Sequence, residues 1–335
     1  MKNLFILACM GILISACNQK SSEKYIGFGG FTQGTTYQII YESVDSSHFK
    51  AEIEYLLANF DSSLSTYNKL SVISKINRNE SDKIDQYLRT VLEKSEEVYN
   101  ITGGSFDITI APLSNAWGFG FKNKENMTKE KVDSILDFIG FELIAYTDST
   151  ITKSDSRIML DMNAIAQGYS VDVVADFLEE KGITNYLVEI GGELKTKGYN
   201  KEGKEWRIGI DKPIDNNNIP GDNLQAIIKL SNKSLATSGN YRKFYEEDGV
   251  KYSHTIDPKT GYSVNHPLLS TTVITDDCIT ADAYATAFMV IGLDKAYELA
   301  LQLENLEAYF IYSDKNGNYQ VKSTPGMIGL IDEVK

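Results

Sequence analysis

The chain has 335 residues, 42% of them hydrophobic, and a formal net charge of -13. That length supports a sizeable core. Acidity with no Lys/Arg cluster excludes a nucleic-acid surface, which needs a basic stripe. It also sets a condition on any pyrophosphate ligand, which would need a bound cation or a cradle of backbone N–H groups.

The first segment reads as a targeting signal. Lys2 gives a short positive start, and Leu4 to Ile14 is apolar but too short to span a bilayer. The small residues of Ile14-Ser15-Ala16 lead directly into Cys17, which looks like the lipobox of a bacterial lipoprotein. That resemblance implies a signal peptide over 1–16, a lipid on Cys17, and a polar tether over 17–30. The expected location is exported and anchored to a bacterial membrane, facing the periplasm. Of the three cysteines, Cys9 and Cys17 fall in this region, which leaves Cys278 as the one thiol of the mature chain.

Thr36 to Glu42 is rich in β-branched and aromatic residues and predicts a strand. Apolar residues at helical spacing predict helices over 47–59, 82–100, 128–139 (capped by Thr128) and 166–181 (stopped by Gly182). Strands are expected at Tyr186–Ile190, Trp206–Ile210 and Gln225–Leu230. Helices follow at 281–291 and 294–304, then a hairpin pairing Ala308–Tyr312 with Tyr319–Lys322 across an Asn-Gly turn. Hairpins mixed with helices, without βαβ alternation or a dividing linker, predict an α+β fold. The whole of 31–335 reads as one large domain of mixed, largely antiparallel sheets with packed helices.

Two phrases in the last third carry the chemistry. His254-Thr255-Ile256-Asp257-Pro258-Lys259-Thr260-Gly261 reads as a strand ending in a tight turn. Thr280-Ala281-Asp282-Ala283-Tyr284-Ala285-Thr286 reads as the opening of an apolar helix with one acid. Asp282 and Thr286 lie one turn apart on one face, where a carboxylate and a hydroxyl can share a hard cation. Earlier phrases are weaker by themselves. Asp161 enters the 166–181 helix, where it reads as a cap, and Gly168 reads as a close packing point. Glu189-Ile190-Gly191-Gly192-Glu193 and Thr237-Ser238-Gly239-Asn240-Tyr241 read as turns, and Gly103-Gly104-Ser105-Phe106-Asp107 as a helix end leading into a strand.

Together these phrases resemble, in order and over residues 31–330, the ApbE family of FAD:protein FMN transferases. The resemblance implies FAD contacts at Ser105, Phe106, Asp107, Asp161, Ile256 and the residue at 167, with Tyr67 stacked on the isoalloxazine ring. It also implies Mg2+ held by Asp282, Thr286 and the Ala164 carbonyl. Two positions depart from the family's usual pattern. Gln167 stands where the family commonly has Lys, and Gln33 where it has Met beside the flavin.

The implied reaction joins FMN to a Thr or Ser hydroxyl of an acceptor flavoprotein and releases AMP. The implied acceptor belongs to a membrane or exported electron-transfer system. His254 is the candidate base and Asp282 its competitor. Two other readings use the same residues: an FAD pyrophosphatase giving FMN and AMP, and a lipid-anchored flavin-binding protein without chemistry.

Overall fold

The computed structural model describes residues 24–43, 45–120, 124–214, 221–240, 244–247 and 250–334. Cys17 and the signal segment lie outside the described residues. The first half runs β1 (Lys24–Thr32), β2 (Thr35–Ser43), α1 (Lys50–Leu64), α2 (Val72–Asn77), α3 (Gln86–Ile101), α4 (Ala111–Ala116), α5 (Lys129–Leu136), β3 (Ile144–Tyr146), β4 (Ile151–Lys153) and α6 (Ala166–Glu180). Next come β5 (Tyr186–Ile190), β6 (Glu193–Lys197), β7 (Trp206–Asp211), β8 (Leu224–Leu230), β9 (Lys233–Gly239), β10 (Phe244–Glu247) and β11 (Val250–Ser253). The chain closes with β12 (Leu268–Thr275), α7 (Cys278–Ile291), α8 (Leu293–Ala300), β13 (Glu307–Ser313), β14 (Tyr319–Ser323), α9 (Met327–Leu330) and β15 (Ile331–Val334).

Eight strands form one sheet in the order β1-β2-β5-β6-β9-β12-β13-β14, with every neighbouring pair antiparallel. Side-chain alternation sorts its two faces. Tyr37, Ile39 and Tyr41 of β2, with Tyr186, Val188 and Ile190 of β5, pack on Val171, Val174 and Leu178 of α6. The opposite face of the sheet, through Leu194, Leu235, Ile274 and Ile311, meets Trp206, Ile208 and Ile228 of a three-stranded sheet, β15-β8-β7. A third apolar cluster joins α3 and α7 to the 106–165 region through Leu88, Leu92, Phe106, Leu160 and Phe288. The fold is therefore α+β with largely antiparallel sheets, as the sequence predicts.

Several local readings need correction. The tether ends earlier than residue 30, because Lys24–Gly30 belong to β1 and pair with β2 residue by residue. Glycines at 27, 29 and 30 lower strand propensity there and mask the signal. α7 begins at Cys278, where Asp277 is its N-cap and accepts from Thr280 N–H. Asp161 does not cap α6, whose N-cap residue is Ile165 and makes no side-chain cap. The phrase at His254 is not a strand, since β11 ends at Ser253 and Ile256 makes only an isolated bridge to Ser263.

Candidate flavin and metal site

The site is organised by the crossing of α6 and α7. An ideal Cβ on Gly168 would lie 2.4 Å from the Cys278 carbonyl oxygen and 2.7 Å from Asp282 Cβ. Only a hydrogen at this position lets the two helices touch. The contact brings the Gly168 N–H within 2.9 Å of Asp282 Oδ2. This N–H belongs to the first turn of α6, so it has no intrahelical partner. Because it turns to Asp282, no hydrogen bond to the Ala164 carbonyl is present among the described residues.

Asp282 is 5% exposed. Burial pushes its carboxyl up to about 7, and the Gly168 N–H works against that rise. Among the described residues no lysine, arginine or histidine pairs with it. Thr286 is half-buried, and its hydroxyl lies 3.2 Å from the Ser238 hydroxyl of β9. The described residues gather no group of three or more His, Cys, Asp and Glu side chains fit to hold a metal by themselves. Asp282, Thr286 and the Ala164 carbonyl offer instead one carboxylate, one hydroxyl and one carbonyl, all hard oxygen donors. That sparse set suits Mg2+, which takes few protein ligands and fills its octahedron with water and phosphate. A buried carboxylate lacking a cation partner fits such an ion.

The two glutamines meet at the start of α6. Gln33 (φ 50) and Gly34 (φ 76) form the two-residue turn between β1 and β2. The Ser170 hydroxyl donates toward Gln33 Oε1 at 3.4 Å and to the Gln167 carbonyl at 2.7 Å. Gln33 Nε2 is buried without an acceptor. Gln167 Nε2 donates to the Ile190 carbonyl at 3.1 Å. Gly191 (φ 67) makes room for this bond, since a Cβ there would fall 1.5 Å from Gln167 Nε2. The Gly191-Gly192 turn is thus shaped around the α6 side chain.

A second group of predicted residues comes together around Asp107. Asp161 N–H donates to the Ile108 carbonyl at 2.7 Å, and Asp161 Oδ1 accepts from Asn163 N–H at 2.9 Å. Asp161 therefore orders the loop before α6 and ties it to the Ser105–Asp107 phrase. Ser105 and Phe106 are buried. Lys259 Nζ donates to the Ser105 hydroxyl at 3.3 Å, which links the 254–261 turn to the same group. Sequence reasoning gave Lys259 no role, although its place in the turn phrase marked it.

Asp107 Oδ1 accepts from both the N–H and the hydroxyl of Thr109, at 2.8 and 2.7 Å. Burial nevertheless pushes this carboxyl up to about 6. The folded pKa exceeds the unfolded value, so the folded chain holds the proton more tightly and loses stability as pH rises from about 4 to about 6. Asp107→Asn keeps the acceptor for Thr109 and removes the charge, but gives up the acceptor for the Phe141 N–H. It is expected to gain about 1 kcal/mol in urea unfolding at pH 8, and nothing near pH 4.

Tyr67 follows α1 and is 72% exposed. His254 is half-buried and its ring meets Phe119 edge-on, 6.4 Å between centroids. It makes no hydrogen bond to Asp282. Ile256 is buried in the turn beyond it. Cys278 is fully buried and its thiol is pushed well up by burial, as inert packing would be. A surface groove of about 750 Å3, lined by Gly27, Gln38, Glu189 and Trp206 among others, includes none of the predicted site residues.

Among the described residues no helix is long and apolar enough to cross a membrane.

An antiparallel sheet, two helices crossing at a glycine and a buried acid at that crossing frame the candidate site. The family model of ApbE matches residues 33–310, and the chain belongs to the ApbE family. A curated relative from Vibrio cholerae, FAD:protein FMN transferase, is 36% identical over 309 residues, covering 90% of this chain and 91% of its own. The solved flavin transferase ApbE of Vibrio cholerae superposes with a TM-score of 0.82 at 33% identity, over 92% of this chain and 99% of that one. The apo flavinyl transferase ApbE of Pseudomonas stutzeri gives 0.83 at 32% identity, over 93% and 98%.

Proposed function

We propose that this chain transfers FMN from FAD to a Thr or Ser hydroxyl of an acceptor flavoprotein and releases AMP. The observation that carries this reading is the buried Asp282 carboxylate at the α6–α7 crossing, set in a chain that matches the transferase family over most of its length. The acceptor oxygen forms a bond to the phosphorus on the FMN side as the bond to the AMP oxygen breaks. The hydroxyl proton passes to a base, for which His254 is the candidate. Mg2+, held by Asp282, Thr286 and the Ala164 carbonyl, would offset the pyrophosphate charge and stabilise the leaving AMP. The protein's own part is to bind and orient: Tyr67 stacks the flavin, while Asp161 and the Ser105–Asp107 group border the dinucleotide. With Gln167 in place of a lysine, this chain relies more heavily on the cation for the phosphates.

Mass spectrometry of an acceptor incubated with the chain, FAD and Mg2+ tests this function. A gain equal to FMN less water supports it, and rapid AMP release without any gain sinks it in favour of a hydrolase. His254→Ala is expected to slow transfer by about 100-fold or more while FAD affinity stays within a few-fold of wild type. Undiminished transfer would remove His254 as the base.

The reading extends to location and partner. Cys17 would carry the lipid after cleavage of 1–16, with the enzyme anchored at the membrane and facing the periplasm. Its acceptor would be a subunit of a membrane-attached or exported electron-transfer system. Replacing Cys17 by Ala should release the protein from the membrane fraction.

A further inference from the structure

The two helices of the site cap each other. Asp282, in the second turn of α7, accepts the Gly168 N–H at the start of α6. In the other direction Asp172, one turn further along α6, accepts the Cys278 N–H at 3.0 Å through Oδ1 and the Ile279 N–H at 2.8 Å through Oδ2. Asp277 accepts the Thr280 N–H at 2.9 Å. The first three N–H groups of α7 are thereby satisfied, two of them by another helix.

Asp172 is 6% exposed, and a lone charge there would be costly. Lys195 of β6 lies 3.0 Å from its Oδ1. The hairpin turned by Gly191-Gly192 delivers this lysine beneath the helices. Both carboxylate oxygens are therefore committed to α7 and β6. Apolar packing would hold α7 without fixing its position along its axis, whereas paired, directional bonds to two successive N–H groups do fix it. Cys278 and Asp282 lie one turn apart on one face. A displacement of the α7 N-terminus displaces the Asp282 carboxylate with it.

We propose that Asp172, held by Lys195, is a positioning residue that sets the Asp282 carboxylate at the depth where it receives the cation of the substrate complex. This rests on the reading of Asp282 as an ion ligand. Asp172 touches neither substrate nor ion, so its effect passes through α7.

Amide hydrogen exchange of the metal-free chain and Mg2+-dependent FAD binding test it together. In Asp172→Asn, exchange at Cys278 and Ile279 should accelerate at least about 10-fold, with far less change across the sheet. Half-saturating Mg2+ for FAD uptake, read by flavin fluorescence, should rise about 10-fold. Saturating Mg2+ should restore transfer to near the wild-type rate. If that variant fails to fold, Asp172→Asn with Lys195→Met removes both charges at once, and the same outcomes are expected. Exchange that rises uniformly, or an unchanged half-saturation in a variant beside a Mg2+-responsive wild type, overturns the proposal alone. A wild-type chain that gains no FAD affinity from Mg2+ overturns the ion-ligand reading as well.

Discussion

Asp282→Asn is expected to lower FMN transfer by about 1,000-fold, equivalent to several kcal/mol of lost transition-state stabilisation. In the metal-free chain the same change should raise stability at pH 8. Burial pushes the Asp282 carboxyl up to about 7, above its unfolded value, so ionisation works against the fold. The sign follows directly. The folded chain binds the proton more tightly, stability falls as pH climbs from about 4 to about 7, and the full cost is present at pH 8. The amide removes the charge while its oxygen still accepts the Gly168 N–H. The expected gain is on the order of 2–4 kcal/mol, or about 5 °C in Tm. Mg2+ should raise the Tm of the wild-type chain and leave the Asn variant unmoved. Calorimetry with and without Mg2+ measures both effects, and an Asn variant that still transfers FMN at the wild-type rate would exclude Asp282 from the ion site.

Gly168→Ala should damage both fold and function. The added methyl would sit 2.4 Å from the Cys278 carbonyl oxygen, which is backbone and cannot swing away. The helices must separate, and with them the Gly168 N–H and the Asp282 carboxylate. Overpacking of this kind costs about 1–3 kcal/mol, and the lost mutual caps add to it. We expect Tm to fall by about 5–10 °C and transfer to fall at least 100-fold even below the new Tm. Tm and FMN transfer measured on one preparation decide it. A variant that melts with the wild type would mean the helices relax around the methyl at little cost.

These two residues show how unevenly the site was written in the chain. Asp282 and Thr286 were legible because helical spacing places them on one face. Gly168 was legible as a close packing point, but not its partner. The Asp282–Gly168 bond joins residues 114 apart, and Asp172 reaches Cys278 across 106. Nothing local encodes either meeting. Asp172 did leave one trace, an acid in register with the apolar residues Val171, Val174, Ala175 and Leu178 of the same helix face. Asp161 was misread as a cap because an acid just ahead of a helix usually is one. Here the loop from 161 to 165 intervenes, and the cap comes from α7.

The sequence by itself determined the α+β class, the positions of α3, α5, α6 and β5, the turn glycines at 182, 191 and 192 and the ordered phrases of the family. Each is a local property, set by apolar periodicity, capping or backbone sterics within a few residues. The 237–239 phrase, read as a turn, is instead the end of β9. The tertiary structure alone decided the middle of the large sheet and the assembly of the site. β9 and β12 carry Ser and Thr where strands usually alternate, and Ser270, Thr271 and Thr272 are buried. A strand covered on both faces loses the two-residue period that would announce it. Its hydroxyls are satisfied by partners such as Thr237 with Thr272, at 2.9 Å. Those pairings, like the capping of α6 by α7, exist only once distant segments have met, so no window of sequence contains them.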